Sequence, residues 1–347
     1  MKTSDFDFEL PRELIAQKPV EGERDQSRLM VLDSDQSTIQ HRQFFELPTF
    51  LHKGDLLVFN DSKVFPGRLL GHKAGSGGKI EFLLLRKDGE GVEERWEAMV
   101  GGKRIRAGLA VEFEDDLKGR IIEEASDNTL WVQFNELGDA FRAVLTTQGH
   151  TPIPPYIDES GLNEDELRDV YQTVYAEHEG SAAAPTAGFH FTDRLLEEIQ
   201  EMGVETTTVT LHVGMGTFSP VKVDDTENHK MHSEFAIVSP ETATAVNAAK
   251  SGGRRVIAVG TTSVRTLESF MNGTVLEAGQ KWTDIFIAPG YAFKCVDAMI
   301  TNFHLPKSTL LMLVSARAGT ELIKTAYKEA VDRKYRFYSF GDSMFIQ

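Results

Sequence analysis

Three histidines stand where polar clusters meet apolar runs, and a histidine of near-neutral pKa is the natural general base. His190 lies in EGSAAAPTAGFHFTDRLL (179–196). There Thr186 and Gly188 let backbone approach a ligand closely, and Phe189 and Phe191 offer flat rings. His212 ends an apolar run and is followed by Gly214, Gly216 and Thr217 in VTLHVGMGTFSPV (209–221). His304 sits in ITNFHLPKSTLLMLVS (300–315) with Asn302, Phe303, Pro306, Lys307, Ser308 and Thr309, all at the mouth of a long apolar run. Each cluster also has a plainer reading, as a capped loop or the polar start of a core helix.

A fourth cluster, RRVIAVGTTSVRTLES (254–269), carries a buried strand through Gly260 into Thr261, Thr262 and Ser263, with Arg265 one turn on. Open backbone N–H groups and the helix dipole make such a start an anion site. No G-K-[ST] follows, so a carboxylate or a single phosphate group fits better than a triphosphate. The Gly-x-Gly at 214–216 fails the dinucleotide fingerprint, because no helix follows and Pro220 intervenes. His229 and His232 lie outside any H-E-x-x-H frame, and the lone Cys295 cannot anchor a cysteine-based metal site; no metal and no prosthetic group are expected.

These clusters need elements to position them. Residues 1–65 hold two strands, RLMVLD and DLLVFN, with a short helix or turn at FFELPTFL. Six short β-rich runs from RLLG to LWVQF, punctuated by GSGG, KDGEG, GGK and SDN, predict a small barrel or sandwich. Beyond residue 153 helices alternate with strands. RLLEEIQEMG reads as a helix capped by Thr192, and VETTTVTLHV, RRVIAVG and DIFIAPG read as strands. ETATAVNAAKSGG, SVRTLESFM and STLLMLVSA read as helices. The expected fold is α/β: a larger, discontinuous α/β domain (1–66 plus 153–347) carrying an inserted small antiparallel β-barrel (67–152). Two helix starts and two histidine loops would then converge on the carboxyl edge of one sheet, where such folds place ligands.

The net charge of −16 argues against a wholly basic nucleic-acid footprint, but the charge is uneven. Residues 63–106 hold ten Lys or Arg against six acids, whereas residues 112–166 hold three against fourteen. A focused phosphate track is compatible with that distribution. The acidic start MKTSDFDFELP lacks the basic region of a signal peptide, and no apolar run reaches membrane-spanning length. A soluble cytoplasmic protein without membrane contact is expected.

The blocks AAPTAGFHFT, TLHVGMGTF, HKMHSEF, VIAVGTTSVRTLES, TDIFIAPGY and ITNFHLPKSTLLMLVSA together resemble the S-adenosylmethionine:tRNA ribosyltransferase-isomerase family. FDFELPRELIAQKP, GDLLVFNDSKV, GHTPIPPYI and KYRFYSFGDSMFIQ extend the resemblance over essentially the whole chain. Phe189, Met215, Lys63, Phe65 and Arg317 depart from the family's commoner residues. The resemblance implies an α/β domain with an inserted β-barrel. It also implies an enzyme that moves and rearranges the ribosyl part of S-adenosylmethionine, used as co-substrate, onto a 7-aminomethyl-7-deazaguanine base. That base occupies the wobble position of tRNA, and epoxyqueuosine in tRNA, adenine and methionine result.

On that footing His190 or His304, with His212 third, is the expected base for a C5′ proton made acidic by the sulfonium. Phe189 and Phe303 are expected to stack on a purine ring. Thr261, Thr262, Ser263 and Arg265 would hold the methionine carboxylate or a phosphate, and Asp61 and Asp284 would accept from ammonium, ribose hydroxyl or amine. Thr186, Gly188, Gly214, Gly216, Thr217 and Asn302 complete the expected substrate wall. Lys63 and Arg68 near the domain junction, with Lys103, Arg104 and Arg106 on the β module, are the expected tRNA contacts, and a monomer is expected. The competing functions are an S-adenosylmethionine-dependent tRNA methyltransferase, which should show a glycine-rich turn after its first strand, and a non-catalytic tRNA-binding protein.

Overall fold

The structure, a computed structural model, describes residues 1–126, 128–154, 156–157, 162–214 and 231–347. Gly216 and Thr217 therefore lie outside the described residues, as do Met215 and His229.

A nine-stranded mixed sheet runs in the order Gly279–Thr283, Glu234–Val238, Glu205–His212, Leu56–Asn60, Val256–Val259, Ala298–Asn302, Ser343–Ile346, Arg28–Asp33, Thr38–Gln43. The four strands from Glu205–His212 to Ala298–Asn302 are mutually parallel. Parallel strands are covered on both faces, which is why Leu56–Asn60 and Val256–Val259 are buried throughout and read as apolar runs. In Leu56–Asn60, Leu56 and Val58 enter one core while Leu57 and Phe59 enter the other, the alternation a strand imposes. The first core is closed by helices Pro240–Ser251, Thr261–Phe270, Thr309–Ala318 and Thr320–Asp332. The second is closed by helix Asp193–Glu201 and the 3-10 turns Phe44–Phe50 and Thr186–His190.

Helix starts follow local chemistry. The Thr192 hydroxyl accepts from the Leu195 N–H at 3.2 Å, and that of Ser308 accepts from Leu311 at 3.2 Å. Each satisfies an otherwise orphaned donor, worth about 1 kcal/mol.

All six β-rich runs of the second regime become strands, Arg68–Lys73, Lys79–Asp88, Arg95–Gly101, Ala110–Glu112, Lys118–Ser126 and Thr129–Phe134, closed into an antiparallel barrel. Leu69, Ile80, Phe82, Val111, Ile121 and Val132 fill it. Helix Gly138–Gln148 adds Phe141 and Leu145 to that core, with the Phe134 and Phe141 rings stacked at 4.3 Å. Where the chain leaves and returns, Arg68 and His150 exchange two backbone hydrogen bonds, of 3.1 and 2.8 Å, which tie the neck of the insertion.

The structure adds elements the sequence reading lacked, among them strands Thr38–Gln43 and Glu234–Val238 and helices Gly138–Gln148 and Thr320–Asp332, and it removes one. DIFIAPG is not a strand: the edge strand is Gly279–Thr283, and Ile285 and Ile287 after it pack on the core from outside the sheet. The C-terminal strand Ser343–Ile346 inserts between Ala298–Asn302 and Arg28–Asp33, antiparallel to the first and parallel to the second. No helix among the described residues is long and apolar enough to cross a membrane.

Candidate active site between sheet and barrel

Because the four central strands are parallel, their carboxyl ends share one edge. That edge carries Asp61, His212, Gly260–Thr261 and Asn302–His304. Beside it, a cavity of about 960 Å³ opens between sheet and barrel. His212, Gly214, Glu234 and Phe235 line it from the sheet, and Arg86, Trp96 and Arg142 from the barrel side.

His212 is the one of the three candidate histidines on this cavity. Its ring lies nearly parallel to Phe235, centroids 6.5 Å apart, and its Nδ1 has no hydrogen-bond partner. Burial lowers its pKa, against a smaller upward pull from Asp61, so the ring is neutral at pH 7. Gly180 makes room for it. A Cβ there would stand 2.8 Å from the imidazole Cε1, and the φ of +149° also favours glycine. Asp61 is buried, accepts from Thr210 Oγ1 at 2.6 Å and pairs with His178 at 3.3 Å. Asp61, Glu177 and His178 offer atoms within 4.8 Å of one another, a proximity the Asp61–His178 pair accounts for.

His190 and His304 are enclosed instead. Thr186 Oγ1 donates to Asn302 Oδ1 at 3.2 Å, Asn302 Nδ2 donates to His190 Nε2 at 3.2 Å, and Ser27 Oγ meets His190 Nδ1 at 2.7 Å. This chain puts the proton on Nδ1 and leaves His190 no free nitrogen. His304 bonds Thr301 Oγ1 through Nε2 at 3.0 Å, and its backbone N–H donates to Tyr327 Oη at 2.9 Å. Burial pushes both histidines down to about 3.

A consequence is measurable. Unfolded histidine titrates near 6.5. Between that value and about 3 the unfolded chain binds more protons than the folded one at both positions, so stability falls as pH falls through that window and is flat above it. Each histidine is expected to contribute about 1.4 kcal/mol per pH unit to the slope. Urea unfolding at a series of pH values checks this; a His190→Gln protein with an unchanged slope would contradict it.

The rings expected to stack on a purine are already covered. Phe303 is fully buried among Tyr327, Tyr335 and Phe337. Phe189 stacks on Phe340 with Arg24 near its ring. Phe303 has no face to offer a ligand, and Phe189 borders only a separate cavity of about 20 Å³, too small for a purine. Open aromatic surface comes from residues the sequence did not single out: Phe235 and the half-exposed Trp282, 5.4 Å apart, with the Arg86 guanidinium 5.0 Å from the Trp282 ring centroid. Gly188 permits close approach to protein rather than ligand, since a Cβ there would collide with Tyr175 Oη.

On helix Thr261–Phe270, the Ser263 hydroxyl donates back to the Val259 carbonyl at 2.7 Å, and Thr261 is buried. Thr262 Oγ1 is buried without a partner, and Arg265 is ion-paired with Glu234. Asp284 is exposed just beyond the edge strand and does not line the cavity.

Of the basic candidates, Lys63, Lys103, Arg104 and Arg106 are exposed and do not line the cavity, although Lys63 is paired in register with the lining residue Glu179, while Arg68 pairs with Glu81 at 3.0 Å. Lys87 and Arg142, which the sequence did not single out, line the cavity. Arg317 donates to the Asp297 carbonyl ahead of strand Ala298–Asn302, at the sheet edge opposite the cavity. Cys295 is buried, and burial together with Glu268 pushes its thiol up to about 12.

Comparison with known proteins agrees with this architecture. A relative from Symbiobacterium thermophilum, named S-adenosylmethionine:tRNA ribosyltransferase-isomerase, is 54% identical over all of both chains. One of the same name from Desulfitobacterium hafniense is 53% identical over all of both chains. The crystal structure of an S-adenosylmethionine tRNA ribosyltransferase from Thermotoga maritima is 38% identical, covering 99% of this chain and 100% of that one, with a TM-score of 0.56. These names favour the ribosyltransferase reading over a methyltransferase or a non-catalytic binder. The model of the queuosine biosynthesis protein family matches residues 3–346, and this chain belongs to that family.

Proposed function

We propose that this protein transfers and isomerises the ribosyl moiety of S-adenosylmethionine onto the 7-aminomethyl-7-deazaguanine base at the tRNA wobble position. Epoxyqueuosine-tRNA forms, and adenine and methionine are released. The observation that carries this reading is the cavity between sheet and barrel, read together with the family. Its volume of about 960 Å³ stands at the upper end of small-molecule sites, enough for a nucleoside and an extruded base.

The residues divide the work as follows. The sulfonium makes the adjacent C5′ protons acidic and methionine a good leaving group. His212, neutral at pH 7 and facing the cavity, takes such a proton. His190 and His304 hold the sheet edge in shape rather than meeting substrate. Phe235 and Trp282 present flat surface to a purine-type ring. Asp61, through His178 and Thr210, orders the floor beside His212.

The tRNA backbone is drawn to Lys87 and Arg142 at the cavity and to Lys63 nearby, with Arg68, Lys103, Arg104 and Arg106 on the barrel as an outer track. Charge reversal at a phosphate contact flattens the dependence of binding on salt. Arg142→Glu is therefore expected to reduce the log–log slope by about 1. An unchanged slope removes Arg142 from the track. A monomer working in the cytoplasm completes the proposal, and sedimentation of the free protein checks its first half.

Product analysis tests the reaction. The protein is incubated with S-adenosylmethionine and tRNA bearing the aminomethyl-deazaguanine, the tRNA is digested for mass spectrometry, and the supernatant is assayed. Epoxyqueuosine with equimolar adenine and methionine is expected. S-adenosylhomocysteine in their place would make the protein a methyltransferase.

A further inference from the structure

Arg265 lies in helix Thr261–Phe270, is 6% exposed, and pairs through Nη1 with Glu234 Oε2. Its remaining donors, Nε and Nη2, are buried with no partner. Those two atoms form the side-on edge of the guanidinium, whose parallel N–H bonds match the two oxygens of a carboxylate. Thr262, one turn earlier and on the same helix face, has its Oγ1 buried and unpartnered as well. Three unsatisfied polar atoms on one helix face are costly for a folded protein, and a bound group that accepts from them removes the cost. Glu234, 4% exposed, lines the cavity, and its Oε1 accepts from the Gly214 N–H at 3.3 Å.

Charge decides what that group is. Arg265 and Glu234 together are neutral. A phosphate brought to this buried pair would leave one or two negative charges uncompensated in a poorly solvated place, which is expensive. A zwitterion adds no net charge and offers each partner its opposite. From this arrangement we propose that Glu234 and Arg265 form a clamp for an α-amino-acid head group, the methionine end of S-adenosylmethionine. Arg265 takes the carboxylate along its Nε/Nη2 edge, and Glu234 takes the ammonium. Glu234 is then a specificity-determining residue of the site, one to which the sequence reading gave no role. The proposal rests on the reading of the cleft as the S-adenosylmethionine site.

The test varies the ligand first. Calorimetric titration of the wild-type protein compares S-adenosylmethionine with its decarboxylated and its deaminated analogues. Each analogue is expected to bind roughly 10- to 100-fold more weakly, the worth of one charge-assisted hydrogen bond. Glu234→Gln is expected to weaken S-adenosylmethionine by a similar factor while leaving the deaminated analogue within about twofold of its wild-type affinity, since that ligand has no ammonium to lose. The ligand series stands on the wild-type protein alone if the variant does not fold. Equal binding of S-adenosylmethionine and the deaminated analogue by wild-type protein would overturn the clamp while leaving the cleft reading intact. No binding of S-adenosylmethionine by folded protein would overturn both.

Discussion

Replacing His212 with asparagine is expected to lower turnover by about 10²- to 10⁴-fold, the usual loss when a positioned general base is removed. His212 lines the cavity, lies nearly parallel to Phe235 and keeps an unpartnered Nδ1, and burial holds it neutral at pH 7. Little folding energy depends on it, so the thermal midpoint should stay within a few degrees. Because its pKa is lowered, the loss of kcat/KM on acidification should begin below pH 6.5, not above it. Gly180→Ala should give a milder copy of the same defect, because its Cβ forces the imidazole aside. His190→Asn should show the opposite pattern, with a lower midpoint and a smaller change in the chemical step. Turnover by His212→Asn within a few-fold of wild type would remove His212 as the base.

Glu268→Ala is expected to be among the most destabilising single substitutions in the chain. Its carboxylate is 4% exposed near the end of helix Thr261–Phe270. One oxygen accepts from the Cys295 and Val296 N–H groups at 3.0 Å each, and the other from Lys294 N–H at 3.0 Å and Tyr291 Oη at 3.1 Å. Three backbone donors lose their acceptor together, and each unsatisfied buried donor costs about 1–3 kcal/mol. A loss of more than ~4 kcal/mol follows even with partial rescue by water. For a chain of 347 residues that is a fall in the thermal midpoint of roughly 5–6 °C. The anchored residues lead into strand Ala298–Asn302, whose far end carries Asn302 and His304, so the loop and the site edge should loosen together. Thermal and urea unfolding of Glu268→Ala measures this, and a shift under 2 °C would mean that the loop is held by something else.

The local regularities were legible because they depend on near neighbours. The six barrel strands show as β-rich runs between glycine turns, and Thr192 caps the helix it was expected to cap. The convergence of Asp61, His212, Thr261 and Asn302 on one edge also follows from the order of strands and helices, since crossover connections make the strands parallel. DIFIAPG misled for the converse reason. Its apolar residues do face the core, but strand pairing needs a neighbour, and the edge of this sheet ends at Gly279–Thr283.

What the sequence by itself determined is thus the family, the α/β-plus-barrel architecture and which loops gather polar residues. Tertiary structure alone decided which of those residues meet open space. His190 and His304 are as prominent in the sequence as His212, yet both ring nitrogens of His190 are occupied by Ser27 and Asn302, Nε2 of His304 is bonded to Thr301, and the cavity reaches neither residue. Trp282 and Arg86 carry no motif and Glu234 stands in HKMHSEF without a role of its own, because they meet only when a sheet-end strand, its neighbour and an inserted barrel, far apart in the chain, come together. A residue's type and spacing set the chemistry it is capable of. Burial and the partners brought by distant segments set whether a nitrogen is free to do it.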